Sequence, residues 1–329
     1  MQSDIATPSG YRTAAYKEFD LRKQRRVGET IIETLLVVCG VVSVLTTVGI
    51  VVVLLSTAVE FFARPDVRIW EFISGIAWQP RIGQFGIWPL LMMTILIAVI
   101  SVAFALPFGL MIAIYLSEYA SPRVRSTLKP VLEVLAGIPT VVYGYFALTF
   151  VTPLIRGLFG TDTVDIYNIL SAGLVVGVLI LPLVTSMSED ALHAVPRSLR
   201  EAAYGLGAHR LETSTHVVLP AATSGIVAAF IVSVSRAVGE TMVVALAAGA
   251  GPRNFPSWRE AMTNLALFNP LKAGETMTGH MVRISGGDLS YNSVDYESIF
   301  AIGLVLFVIT LTLNIIARRV VKRFREVYE

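Results

Sequence analysis

Six long apolar runs divide this chain of 329 residues, and each of them is close to the length of a membrane crossing. A helix needs about 20 apolar residues to cross the hydrocarbon core of a bilayer. Charged residues make up 15% of the chain, against about 25% in a soluble domain. The pattern therefore predicts an all-α membrane protein with six transmembrane helices. The predicted crossings cover residues 34–59, 88–116, 134–155, 169–187, 221–250 and 299–317.

Positive charge is distributed unevenly between the polar segments. Of the 26 Lys and Arg residues, 17 lie in the two terminal segments and in the loops after the second and fourth crossings, and eight lie in the other loops. Because Lys and Arg are enriched on the cytoplasmic side of a membrane, both termini are expected in the cytoplasm. This predicts a cytoplasmic segment at 1–33, a membrane domain at 34–317 and a cytoplasmic tail at 318–329. The single cysteine, Cys39, excludes an intrachain disulfide, and a formal net charge of +2 gives no reason to expect a nucleic-acid partner.

The fifth apolar run carries an arginine and a glutamate near its middle, Arg236 and Glu240. Charges at the centre of a bilayer cost at least ~2.5 kcal/mol each on insertion scales and usually mark a functional or a paired group. Residues four apart share a face of a helix, so Arg236 and Glu240 are expected on one face, and Ser233 falls on that face too. The pair favours a polar path for transport. The alternative is a self-neutralising pair that joins this helix to a partner subunit.

The loop before the fifth run, residues 188–220, predicts a short amphipathic helix. Pro196 ends the preceding helix, and Ser198 with Glu201 forms a capping box that starts a new one. Gly207, after Gly205, is a typical stop signal. The apolar stripe of this helix comprises Leu199, Ala202, Ala203 and Leu206. Since so short a helix is marginal in water, it needs a surface to pack against: its own membrane helices, the lipid or a partner protein.

The same loop resembles a known motif. Glu201-Ala202-Ala203, then Gly207, Val217 and Leu219-Pro220 follow the EAA pattern of bacterial ABC-importer permeases, with Val217 in place of Ile. The resemblance implies a type I ABC importer permease fold and a multi-pass protein of the bacterial cytoplasmic (inner) membrane. It also implies that the short helix is a coupling helix, which docks into a cleft of a partner ATPase. The residues that it assigns to ATPase coupling are Ser198, Glu201, Ala202, Ala203 and Gly207.

Two further segments resemble phosphate permeases, and the resemblance extends over residues 90–320. Ser235–Met242 matches their SRA-x-GET segment, and Gly137–Gly144 matches IPS-x-VYG with Thr140 in place of Ser. The family implies phosphate as cargo, a second permease, two ATPase subunits and an extracytoplasmic phosphate-binding protein. Met242 and the long outer loop, residues 251–298, resemble the corresponding parts of the C-type subunit more than those of the A-type subunit. The expected pathway residues are Arg236, Glu240, Ser233, Pro139 and Thr140, with Pro139 expected as a helix kink that lines the path or shapes the bundle.

The chain has no G-x-x-x-x-G-K-[ST] phosphate cradle, so ATP and Mg are expected on partner subunits, with no cofactor, no metal and no enzyme activity in this chain. Three alternatives remain open. The cargo could be another oxyanion or small solute, or the chain could be an ion-coupled secondary transporter with Glu240 as its proton site. The outer loop, residues 251–298, is either a solvated connector or a functional element.

Overall fold

The computed structural model describes residues 27–287 and 293–324, and helices dominate these ranges. The chain separates between Val51 and Val52 into an N-terminal unit and a larger C-terminal unit. All packing described below lies within the larger unit. Residues 1–26 of the predicted N-terminal segment and residues 325–329 of the predicted tail lie outside the described residues, whereas residues 318–324 of the tail are the end of the last helix.

The α-helices of the described ranges are, in chain order, α1 (Val27–Ala63), α2 (Ile69–Ser74), α3 (Trp88–Ile114), α4 (Pro122–Ala136), α5 (Thr140–Phe146), α6 (Thr152–Phe159), α7 (Ile169–His193), α8 (Arg197–Gly205), α9 (Arg210–Thr213), α10 (Leu219–Ala221), α11 (Thr223–Val238), α12 (Met242–Ala247), α13 (Trp258–Thr263), α14 (Met277–Ser285) and α15 (Val294–Phe324). Two short antiparallel strands, β1 (Trp78–Gln79) and β2 (Gln84–Phe85), pair with each other. The π-helical turns are Tyr115–Tyr119, Ala147–Val151 and Ser214–Val218, and the 3-10 turns are Pro80–Ile82 and Leu265–Phe268.

Five helical runs of the described chain are long and apolar enough to cross a membrane. A sixth crossing is obtained when the two runs Arg210–Ala221 and Thr223–Val238, which are bent by 69° to each other, are counted as one. The five are Gly28–Ala63, Trp88–Tyr119, Thr140–Phe159, Ile169–His193 and Val294–Val320. These findings confirm the predicted all-α membrane class.

The third predicted crossing begins later than expected. Residues 122–136, expected to be mostly loop, form α4, and a break at Gly137–Pro139 separates it from α5. Pro139 lies at the N-cap of α5 with φ −55° and ψ 134°, so the prediction of a kink inside a helix is wrong. The physical reason is that proline has no N–H and disfavours helical geometry in the residue before it, so that the start of a helix suits it better than the interior.

The fifth predicted crossing is also interrupted. Helix α11 ends at Val238, the chain is non-helical from Gly239 to Thr241, and α12 follows. The carbonyl of Glu240, inside this break, accepts a hydrogen bond of 2.7 Å from Thr278 Oγ1 in α14. A distant segment thus satisfies backbone that a continuous helix would have satisfied itself, which local sequence does not reveal.

The core is built on the close packing of α3 against α7. A Cβ added at Gly173 would lie 2.8 Å from Ile100 Cγ2, and one added at Gly177 would lie 3.0 Å from the carbonyl oxygen of Ser101. Ser101 Oγ donates to the Gly173 carbonyl at 2.9 Å. Small residues four apart allow membrane helices to approach closely, and the two helices therefore form one rigid pair.

The outer loop is not a solvated connector throughout. Residues 274–280 are buried, and Met277 packs in a cluster with Phe61, Trp78 and Phe85. The backbone N–H of Met277 donates to Thr94 Oγ1 of α3 at 3.0 Å. For this part of the loop the connector alternative is wrong, because its backbone and side chains belong to the core.

Candidate translocation path and coupling site

Arg236 lies in the last turn of α11, about 20 Å along the helix from Thr223 at 1.5 Å per residue. Its side chain is exposed on the surface of this chain. Within residues 27–287 and 293–324, no hydrogen bond or ion pair engages its guanidinium. Its five N–H donors are therefore available to a ligand or to another subunit.

Glu240 lies two residues beyond the end of α11 and is 6% exposed. The prediction that Arg236 and Glu240 share one helix face is wrong, because the helix ends at Val238 between them. No ion pair joins their side chains, and no described residue donates a hydrogen bond to the Glu240 carboxylate. The two charges are close in sequence but differ in environment: one side chain is exposed and the other is buried.

Ser233 is buried inside the bundle, with 1% of its surface exposed. Its hydroxyl donates to the Ala229 carbonyl at 2.7 Å, one turn earlier in α11. This hydrogen bond occupies the single proton of the hydroxyl. The role of Ser233 in a pathway stays a prediction, and its exposure differs from that of Arg236.

The two segments that resemble phosphate permeases pack against each other. Pro139 is exposed at the start of α5 and Thr140 is its first residue, and α5 packs against α12, which follows the break at Glu240. At Gly144 an added Cβ would lie 2.8 Å from Leu246 Cδ1 and 3.1 Å from the Met242 carbonyl oxygen. The glycine therefore permits the close approach that brings the start of the third crossing to the interrupted fifth.

The predicted amphipathic helix exists as α8, and its ends differ in part from the prediction. Its N-cap is Pro196, no side chain caps it, and the capping-box role given to Ser198 is wrong. The backbone N–H of His209 instead donates to Glu212 at the start of α9, at 2.9 Å. Gly207 has φ +88°, which confirms it as the stop signal, since a side chain is strained there.

The residues of α8 divide into an inward and an outward set. Leu199 and Ala203 pack inward, and Ala203 is 9% exposed. Ala202 is exposed and Leu206 is 91% exposed beyond the helix end at Gly205, so the prediction that these two residues share one stripe with Leu199 and Ala203 is wrong. The outward residues of the motif are Ser198, Glu201, Ala202 and Gly207, all of which are exposed.

A buried polar group in the outer loop was not predicted. Glu275 accepts hydrogen bonds from Arg283 Nε at 2.6 Å and lies 3.1 Å from His280 Nδ1, and both Glu275 and His280 are 1% exposed. Burial alone would raise the pKa of the Glu275 carboxyl, but hydrogen bonds from His280 and Arg283 outweigh burial and lower it. The sequence shows Glu275, His280 and Arg283 within about two helical turns of one another. No neighbouring residue in the sequence indicates that this segment is buried.

Comparisons with known proteins agree with this geometry. Residues 105–326 match the family described as "Binding-protein-dependent transport system inner membrane component". The probable ABC transporter permease protein YqgH of Bacillus subtilis is 29% identical, over 90% of this chain and 92% of its own length. The phosphate transport system permease protein PstC of Mesorhizobium japonicum is 31% identical, over 77% of this chain and 79% of its own.

A solved structure shows the same fold. The crystal structure of a bacterial alginate ABC transporter in complex with an alginate pentasaccharide-bound periplasmic protein contains a chain that aligns with a TM-score of 0.59 and 13% identity. The alignment covers 91% of this chain and 98% of that one. At this identity the likeness concerns the fold alone.

The fold and the family together define a membrane permease subunit of an ABC importer. The chain belongs to the binding-protein-dependent transport system inner membrane component family. It is a multi-pass protein of the inner membrane and a transport subunit, not itself an enzyme. ATPase subunits that supply ATP hydrolysis and a substrate-binding protein are partners of this family.

Proposed function

We propose that this chain is the C-type permease subunit of an ATP-driven phosphate importer. The observation that carries the proposal is the Arg236 guanidinium, which is exposed on a membrane-crossing helix and is not engaged by any described residue. Phosphate carries one or two negative charges, and its oxygens are acceptors that match the planar fork of an arginine. The relatives named as phosphate permeases support the choice of cargo.

Glu240 controls access to Arg236 in this proposal. Its buried carboxylate, in the helix break, repels an anion that stays near Arg236 and favours release. Pro139 and Thr140 contribute through α5, which packs against α12 beside this break. Ser233 supports α11 from the buried side. Arg236 alone thus binds the anion directly, and the other residues shape or gate the path.

The partners follow from the same proposal. A second, A-type permease completes the path, two ATPase subunits bind ATP and Mg²⁺, and an extracytoplasmic phosphate-binding protein delivers the anion. α8 is the coupling helix, and its exposed residues Ser198, Glu201, Ala202 and Gly207 face the ATPase. Ala203 supports the helix from its buried side.

The orientation of the chain is part of the proposal: both termini and α8 are cytoplasmic, and residues 251–298 are external. In a Cys39→Ala background, an impermeant maleimide added to intact cells should label Met262→Cys, which is 80% exposed in the outer segment. It should not label Ser198→Cys in α8. Labelling of Ser198→Cys with no labelling of Met262→Cys would reverse the topology.

Uptake by the reconstituted complex tests the function. Proteoliposomes that contain this chain, the second permease and the ATPase, with binding protein outside and ATP inside, should accumulate labelled phosphate. Excess sulfate or molybdate should not reduce the uptake. Competition by one of these oxyanions at equal concentration would favour the alternative cargo, and uptake driven by an ion gradient without ATP would favour a secondary transporter.

A further inference from the structure

Arg200 lies directly before the Glu201-Ala202-Ala203 motif, and its guanidinium joins three parts of the chain. Its Nη2 and Nε donate to the Glu118 carboxylate at 2.8 and 3.3 Å. Its Nη1 donates to the Val195 carbonyl at 2.6 Å, and Nη2 also donates to the Leu192 carbonyl at 2.8 Å. Arg200 is on α8, Glu118 is in the π-helical turn that ends α3, and Leu192 is in the last turn of α7.

These bonds are shielded from solvent. The side chains of Arg200 and Glu118 are 15% and 5% exposed. Ion pairs buried to this extent are screened little by salt, and removal of one partner leaves an uncompensated charge. Leucine packing adds to the attachment, since Leu199 lies against an apolar cluster that contains Ala113 of α3 and Val218. Arg200 and Leu199 therefore fasten one side of α8 to the ends of two membrane helices.

Among the described residues, none attaches the remaining faces of α8 in this way. Glu201, about 100° around the helix from Arg200, is exposed, as are Gly207 and Leu206 just beyond the helix. A helix attached on one side and open on the other can transmit a displacement from a partner to whatever it is attached to. Here the attached elements are α3 and α7, which are themselves locked together by the close approaches at Gly173 and Gly177.

We infer that Arg200 is a positioning residue that transmits movement of α8 to the α3–α7 pair through Glu118. With the pair intact, ATP-driven displacement of α8 moves α3 and α7 as one body. Without it, α8 turns on its own connections at Ala194–Pro196 and Ala208–His209, and hydrolysis proceeds with less transport. The inference rests on the proposed role of α8 as the coupling helix.

The test is the amount of phosphate imported per ATP hydrolysed in proteoliposomes of the full complex. Arg200→Lys keeps the charge but cannot hold Glu118 and two carbonyls with one planar fork. We expect the phosphate-to-ATP ratio to fall by about two- to thirtyfold, the range for changes in residues that couple two sites. ATP hydrolysis and co-purification of the ATPase should be retained. Arg123→Lys, at an exposed arginine of α4, is the matched control and should keep the wild-type ratio.

Glu118→Gln provides a second variant if Arg200→Lys does not assemble. It leaves the carbonyl bonds of Arg200 and removes the charge partner, and we expect the ratio to fall in the same direction. If hydrolysis and uptake decrease in equal proportion in both variants, Arg200 only stabilises the fold and the inference is wrong. Failure of the wild-type complex to import phosphate would instead overturn the proposed cargo, which separates the two claims.

Discussion

The two arginines at the functional positions of this chain, Arg200 and Arg236, have opposite surroundings. Arg200 donates four hydrogen bonds, to Glu118 and to the carbonyls of Leu192 and Val195, and its side chain is 15% exposed. Arg236 is exposed on α11, and no described residue binds its guanidinium. Within the chain a bonded arginine fixes the position of neighbouring helices, whereas an unengaged one in a membrane protein is costly unless a ligand or a subunit uses it.

The surroundings of the two arginines indicate different roles, one in holding helices in position and one in transport, and the sequence does not distinguish these roles. Both residues occupy conspicuous motifs, and by charge alone they are equivalent. Their difference depends on distant groups: Glu118 lies 82 residues before Arg200 and reaches it across the fold. Substitutions at the two sites should therefore have different effects. At Arg200 they should lower the phosphate imported per ATP hydrolysed, and at Arg236 they should lower phosphate uptake.

The largest expected effect is at Arg236. Arg236→Gln should reduce phosphate uptake at least about tenfold, since a hydrogen bond to a charged group contributes about 1.5–3 kcal/mol and an amide cannot offset the anion's charge. ATPase association should not change, because no described residue depends on this side chain. Uptake by the complex checks the prediction, with Arg123→Gln as the control at an exposed arginine of α4. Loss of assembly along with uptake would mean that Arg236 holds the subunits together and does not serve the anion.

A smaller effect is expected at the end of α8, where the chain must turn towards α9. Gly207 has φ +88°, and an added Cβ would have no contact within 4 Å in the described part of the chain, so a substitution there acts through backbone strain and through the partner. Gly207→Val should lower the phosphate-to-ATP ratio, because the left-handed conformation costs a side chain about 1–2 kcal/mol. Gly205→Val is the control: this glycine also has open space around it, but its φ is not in the left-handed region. Equal losses in both variants would mean that surface bulk, and not backbone conformation, is responsible.

The smallest expected effect is on the stability of the fold and concerns Glu275. Like Arg200 this residue is charged and hydrogen-bonded within the chain, but it lies in the outer loop. Because its pKa is lowered in the folded chain, its contribution to stability is present above the ordinary value of 4.5 and is lost as the pH falls through the lowered value. The contribution of Glu275 to the unfolding temperature of wild-type protein in detergent should therefore be retained from about pH 7 to about pH 5 and lost as the pH falls below 4.5. Glu275→Gln should unfold at a lower temperature at neutral pH and show a smaller drop as the pH falls below 4.5. Glu260→Gln, at an exposed glutamate nearby, should follow the wild type.

The sequence predicted the class of fold because apolar run lengths and a spaced motif are local properties. The α8 helix, its stop at Gly207 and the membrane crossings follow from residues within one or two turns. The same local view failed at Pro139 and at Glu240, where the helices begin and end differently from the apolar runs. An apolar run does not distinguish one helix from two helices with a break between them.

The features that sequence reasoning missed depend on distant contacts. Glu240 lies in a helix break, and its carbonyl accepts a hydrogen bond from Thr278. The backbone N–H of Met277, a core residue, donates to the side chain of Thr94. These partners are separated by 38 and 183 residues. The attachment of Arg200 to Glu118 has the same character. Spacing rules cannot predict such pairs, since they follow from how helices pack in three dimensions.

The double variant Arg236→Gln, Glu240→Gln tests most directly whether the unengaged arginine serves the anion. If the two residues form a structural pair, removal of both charges leaves no orphan charge and should restore folding and uptake together. The account predicts otherwise: the double variant assembles with its partners, hydrolyses ATP and still imports phosphate at least about tenfold more slowly than wild type. Phosphate uptake by the double variant at the wild-type rate would contradict the role given to Arg236.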